Sequence, residues 1–241
     1  MDTGILTESR ERFFFWVAQC QNNYRHGHDL ELYREIVQLH RQTGSLDLIL
    51  QDNGFHRLIW STLEAWNMNQ KGARLVSQED LKNSLVVHRN ALLQLYQYKL
   101  DRLSQHEIEH DVRGLLWVVF NGLKVMKSER RIVGVSKALH FLLPDLVMPI
   151  DSTYTMMFFY GYNKYSGDVK TEFRTFMEVF MKGWRIARKL DLNERDVTGL
   201  GWSTSVPKLI DNAIIGLFKY IEHDLKQERG TERSATAQSL G

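Results

Sequence analysis

The sequence predicts an all-α protein of about nine to eleven helices, and three observations carry that prediction. Apolar residues recur at i, i+3, i+4 and i+7 from one end of the chain to the other. Alternating apolar and polar runs closed by two-residue turns are almost absent. Only 3 prolines in 241 residues leave long segments free to continue as helix. Phe13, Trp16, Val17 and Cys20 trace the apolar stripe of a first helix, and Leu30, Tyr33, Ile36 and Val37 that of a second. Asp52, Asn53 and Gly54 break the chain before a third, marked by Phe55, Leu58, Ile59 and Leu63. A long helix is expected over 78–103, with Leu81, Leu85, Val86, Leu92, Leu95, Tyr96 and Leu100 facing inward. Further helices are expected over 105–124, 137–143, 152–160, 169–190 and 207–225. From 226 to 241 the chain turns to Gln, Glu, Arg, Gly, Ser, Thr and Ala, which reads as a disordered tail. Residues 1–225 then form a single compact helical domain, or two packed lobes.

Composition narrows the setting. With 43% apolar residues and 31 Lys+Arg against 29 Asp+Glu, the chain resembles an average soluble protein rather than a disordered, collagenous or coiled-coil one. Cys20 is the sole cysteine, so internal disulfides, cysteine zinc sites and four-cysteine iron–sulfur clusters are excluded. The most apolar stretch, 138–150, is broken by His140, Pro144 and Asp145, and the short run 13–18 follows Glu8, Arg10, Glu11 and Arg12. Neither suits a membrane span or a secretory signal, so no membrane partner, a cytoplasmic setting and no cofactor are expected. The net charge of +2 is unevenly spread: residues 121–190 hold 12 Lys+Arg against 6 Asp+Glu, a surplus that suits an anionic partner.

Two segments carry chemistry-bearing residues. His106-Glu107-Ile108-Glu109-His110 satisfies H-E-x-x-H, which on a helix sets two imidazoles one turn apart for zinc with the glutamate as general base. Ser104, three residues before Glu107, competes as a capping box, which would make the pair a solvated helix start. The second segment runs from Arg130 and Arg131 through Gly134, Ser136, Lys137 and His140 to Pro149, Ile150, Asp151 and Tyr154. A glycine turn at a helix start offers backbone N–H groups to phosphate, and Asp151 is a natural N-cap for the helix that follows. On spacing alone, Lys137 and His140 belong to the polar, solvent side of a short helix. Lys182, Arg185, Arg188 and Lys189 read as cations at a helix C-terminus, and Lys208, Asp211, Asn212, Lys219 and Glu222 as the polar side of the last helix. Residues 66–75, opening on Trp66, form a connection rich in amides whose tryptophan suits a stacking or lid role.

The 130–155 segment resembles the helix-hairpin-helix DNA glycosylase superfamily, with Gly134-Val135-Ser136 in place of the phosphate-gripping hairpin and Pro149-Ile150-Asp151 in place of the catalytic aspartate segment. The likeness covers about 25 of the 241 residues. Ser136 replaces the second hairpin glycine, the interval from Gly134 to Asp151 is shorter than the family's, and Lys137 stands one residue before the place of the family's nucleophilic lysine, where this chain has Ala138. The resemblance therefore implies a two-lobed helical bundle without an iron–sulfur cluster that performs monofunctional N-glycosidic hydrolysis. In that reading Asp151 stabilises the oxocarbenium-like sugar, Arg130, Arg131, Gly134, Ser136 and Lys137 hold phosphate, and Tyr154, His140 and Trp66 line the base pocket. The partner implied is DNA or a nucleoside. The segments 66–75, 136–159 and 204–213 also resemble stretches of bacterial helical proteins without a defined activity. A non-enzymatic helical module binding nucleic acid or protein is the alternative, and a zinc hydrolase built on His106, Glu107 and His110 the third.

Overall fold

The computed structural model describes residues 3–24, 27–70, 74–128, 130–162 and 168–238, with side chains of the last helix described to residue 224. Among these residues the fold is all-α, with eleven helices and no strand. They are α1 (Arg10–Asn23), α2 (His28–Thr43), α3 (Leu46–Gln51), α4 (Asn53–Leu63), α5 (Gln78–Val87), α6 (Arg89–Leu95), α7 (105–122), α8 (Ile132–Leu142), α9 (Met157–Tyr160), α10 (Val169–Lys189) and α11 (Val206–Gln238). Side-chain oxygens start most of them: Ser9 accepts from the Arg12 amide, Asp52 from Gly54, Ser77 from Asp80 and Asp168 from Lys170. Gly44 ends α2 at φ 63°, the left-handed geometry that a helix C-terminus reserves for glycine.

Three stretches of helix are π turns, where the backbone bonds slip by one residue: Glu64–Met68 after α4, Ile108–Val112 within α7, and Ser152–Met156 before α9. Two of the three touch the site described below. Among the described residues one β-bridge forms, between Leu75 and Met126, closed by Val76 N–H to Val125 C=O at 3.0 Å and Lys127 N–H to Arg74 C=O at 2.8 Å.

The structure corrects the sequence reading at several points. The helix expected over 78–103 breaks at His88, whose ψ of 9° ends α5, and Val86, expected to face the core, stands 56% exposed one step round α5 from buried Leu85. The His88 ring packs on Gly122 of α7, where an added Cβ would lie 1.8 Å from Nε2, and this contact holds the break. The short helix α3 has no counterpart in the expected elements; its six residues are too few to display a period. Separately, the backbone of α11 is described to Gln238, in a stretch rich in the helix formers Lys, Gln, Glu, Arg and Ala and free of proline. Residues 239–241 of the expected tail lie outside the described ones.

One continuous apolar cluster fills the interior. Helix α8 runs through it with every residue from Gly134 to Leu142 buried, touching α2, α4 and α10. Helices α1 and α11 form the most extensive pairing in the molecule. They meet at Gly216, where even a methyl group would lie 1.9 Å from the Trp16 carbonyl oxygen.

Candidate functional site

Burial of α8 changes the meaning of its polar residues. Lys137 and His140, expected on a solvent face, are buried, and so are Gly134 and Ser136. The amides at the start of the helix are taken by a side chain: the Glu172 carboxylate of α10 accepts from Arg131 N–H at 2.6 Å and from Ile132 N–H at 3.1 Å. An acidic group thus occupies the place where the sequence suggested a phosphate, attracted by the same exposed N–H groups and helix dipole. Gly134 is glycine because Met126 packs on it, with Cγ 2.6 Å from an added Cβ. The Arg131 guanidinium bonds the Asn121 carbonyl at 2.6 Å and Arg130 lies on the surface.

The polar face of α8 instead laces down the returning loop. Ser136 Oγ accepts from Ile150 N–H at 3.0 Å, and His140 Nδ1 lies 2.7 Å from the Val147 carbonyl. Those two bonds bring Asp151 back over the helix one turn along, so that its Oδ2 lies 3.5 Å from Lys137 Nζ. Asp151 is the N-cap the sequence predicts. Its Oδ1 accepts from Thr153 N–H at 2.7 Å and Tyr154 N–H at 3.3 Å, while the π turn returns Met156 N–H to its carbonyl. The Asp151 side chain is 31% exposed and that of Lys137 8%, so the pair stands at the edge of the interior with the carboxylate outward.

Trp66 closes the other side. The chain turns out of helical geometry there, with Trp66 at ψ 22° and Asn67 at φ 63°, which frees the Trp66 carbonyl to accept from Lys137 Nζ at 3.2 Å. Its ring lies 5.7 Å from the Lys137 ammonium and packs on Phe141, Tyr33 and Trp202. Tyr154 meets Tyr24 and Phe218 edge-on, with the Lys219 ammonium over its face. Of the residues named from sequence, Asp151, Lys137, Trp66 and Tyr154 come together here, and Ser136 supports them from below. Arg131 and Gly134 lie nearer the start of α8, occupied by Glu172, the Asn121 carbonyl and Met126, and take no part, while Arg130 stands on the surface just before the helix.

Beneath this pair lies a second one that sequence reasoning assigned to a polar surface. Lys208 Nζ and Asp211 Oδ2 are 2.5 Å apart with side chains only 3% and 5% exposed, and the Lys208 ammonium sits 5.7 Å from the Trp66 ring and 4.9 Å from that of Trp202. Asn212 is buried beside them, whereas Lys219 and Glu222 pair on the surface as expected. The sequence pattern gave no warning: Val206, Leu209, Ile210, Ala213, Ile214 and Leu217 recur as the one-sided stripe of an amphipathic helix, which leaves Lys208, Asp211 and Asn212 on the opposite face, and only the packing of other elements over that face buries them.

His140 belongs to a buried chain of hydrogen bonds. The Val147 carbonyl can only accept, so Nδ1 carries the proton and Nε2 accepts from the Tyr33 hydroxyl at 2.8 Å. The Tyr33 oxygen in turn accepts from Thr204 Oγ1 at 2.6 Å. Desolvation, aided by the Lys208 charge, pushes the His140 pKa down to about 3. A group held neutral in the fold and free to protonate when unfolded gives stability that is complete above pH 6.5 and lost as pH falls toward 3. From pH 7 to pH 5 the loss from His140 is expected to be about 2 kcal/mol. Urea denaturation at the two pH values checks this; an equal drop in His140→Gln would sink it.

The H-E-x-x-H residues form a capping box. Ser104 Oγ accepts from Glu107 N–H at 3.2 Å and Glu107 Oε2 accepts from Ser104 N–H at 2.8 Å, so the glutamate is committed to the helix start. The two imidazoles stack at 4.2 Å on the surface, with His110 Nδ1 3.0 Å from the His106 carbonyl. Among the described residues no group of three or more His, Cys, Asp or Glu side chains is placed to hold a metal ion. No described helix is long and apolar enough to cross a membrane. No protein family, curated protein or solved structure matches the chain, so the geometry carries the functional reading.

Proposed function

We propose that this protein acts on a nucleobase, in nucleic acid or as a nucleoside, by hydrolysing its N-glycosidic bond with Asp151. The observation that carries the reading is the setting of that carboxylate: one oxygen held by two main-chain N–H groups, the other beside the Lys137 ammonium, and the group itself open to solvent. Fixed donors on both oxygens hold a carboxylate at one orientation and leave its charge available to a cationic sugar, which is the role glycosidic cleavage asks of it. Trp66, Tyr154 and Tyr24 give flat surfaces around it that suit a planar base. Phosphate contacts, if the substrate is a polymer, fall to surface cations such as Arg130 and Lys219, since Glu172 fills the start of α8.

The test measures base release from oligonucleotides carrying uracil, hypoxanthine, 8-oxoguanine or 3-methyladenine, and from free nucleosides. Asp151→Asn retains an N-cap and is expected to fold. It should release base at least about 100-fold more slowly than the parent protein. No release from any substrate, or equal release by the variant, overturns the assignment.

A further inference from the structure

Helix α10 carries its cations on one side. Lys170, Arg174, Lys182, Arg185 and Lys189 share a face that runs roughly 28 Å along the helix, and each is exposed except Lys182, which is half-buried. The helix holds two acids. Glu172 is buried at the start of α8, and Glu178, on the cationic face, accepts from the Tyr160 hydroxyl at 2.8 Å. Of the other acids between 121 and 190, Asp145 stands by Lys99, Asp151 by Lys137, and Asp168 caps the start of α10, while Glu129 lies outside the described residues. Among the described residues none of Lys170, Arg174, Lys182 and Arg185 makes an ion pair. The positive surplus of this part of the chain is thus gathered on one helix face and left to solvent.

Aromatic rings stand beside it. The Lys182 ammonium lies 4.1 Å from the Tyr160 ring, at the end of α9. Gly161 turns the chain there at φ 73°, which sets Tyr162 next to Tyr160 with ring centroids 6.0 Å apart. Tyr162 is 51% exposed, so a flat apolar surface faces water at the middle of a row of cations.

We infer that this face of α10, with Tyr160 and Tyr162, binds a single strand of nucleic acid, its phosphates on the cations and unpaired bases stacked on the tyrosines. Cations spaced along a line match a polymer with a charge on every unit, and exposed rings between them match bases that a duplex would keep stacked inside. A membrane surface would ask for a free apolar side next to the cations, whereas Phe173, Phe176, Phe180 and Ile186 turn that side of α10 into the core. None of these residues belongs to the setting of Asp151, and the binding does not require base release.

Fluorescence anisotropy of a labelled oligothymidylate with the full chain tests this. Binding is expected with Kd at or below about 10 μM at about 50 mM salt, at least about threefold tighter than to a duplex of the same length. Arg174→Ala with Arg185→Ala, both at exposed positions, should weaken it at least about tenfold and lower the slope of log K against log salt by about 1.4. Tyr162→Ala should weaken it at least about fivefold and leave that slope unchanged. Arg34→Ala with Arg57→Ala, exposed on α2 and α4, removes the same charge elsewhere and should cost less than about threefold. Asp151→Asn should bind as the parent protein does. No binding, equal binding of the duplex, or equal loss in the Arg34 and Arg57 pair overturns the proposal. So does an unaltered salt slope in the Arg174 and Arg185 pair, full binding by Tyr162→Ala, or lost binding by Asp151→Asn. Polyglutamate or phosphatidylserine vesicles that compete as well as unlabelled oligothymidylate would mean that charge alone is read, and would overturn it too.

Discussion

Asp211→Ala is expected to destabilise the fold by about 3–5 kcal/mol, because it strands the Lys208 ammonium in an interior where its side chain is 3% exposed. Burial raises the Asp211 carboxyl pKa while the Lys208 charge opposes that rise, so the carboxylate depends on the lysine to remain ionised. Replacing both together, Lys208→Met with Asp211→Leu, should recover most of the loss, since a well-packed apolar pair costs no charge desolvation. Urea midpoints with unchanged m-values would measure both effects. A single variant that loses less than about 1 kcal/mol would mean that water reaches the pair and that Lys208 is not an interior charge. The lysine also lies over Trp66 and Trp202, so the pair helps fix the rings beneath Asp151.

Gly216→Ala is the second large effect. Alanine is the better helix former by about 1 kcal/mol, yet the added methyl would meet the Trp16 carbonyl oxygen at 1.9 Å and the Cys20 amide nitrogen at 2.8 Å. Both are backbone atoms of α1 that cannot swing aside, so the helices must separate. A net loss of about 3 kcal/mol is expected, and with it a fall in Tm of about 10 °C. Gly114→Ala provides the comparison: that glycine lies exposed in α7 with no atom within 4 Å of an added Cβ, and the substitution should stabilise by about 0.5–1 kcal/mol. If both glycines respond alike, α1 and α11 are not in backbone contact.

Much of the fold is legible in the sequence because helical periodicity is a local signal. The stripes at Phe13, Trp16, Val17 and Cys20 and at Leu30, Tyr33 and Ile36 are buried as read, and the caps at Ser104 and Asp151 are formed. The breaks were less visible. His88 ends a helix through its contact with Gly122, which lies 34 positions away and leaves no mark on the local pattern. The site divides in the same way. Asp151 is recognisable as a cap with a free charge, but its partner Lys137 was assigned to solvent, because spacing shows which residues share a face and not whether that face meets water. Glu172 was missed altogether. It caps a helix 40 residues earlier, and nothing around it in the chain distinguishes it from an ordinary surface glutamate.

The closeness of Trp16 and Gly216 has a consequence for how the protein is made. The two positions are 200 residues apart in the chain, so the apolar side of α1 leaves the ribosome long before its partner exists. At usual synthesis rates of roughly 5–20 residues per second, Phe13 and Trp16 wait on the order of 10–40 seconds for α11 to cover them. The nascent chain therefore carries an uncovered aromatic helix until α11 has been made and docks.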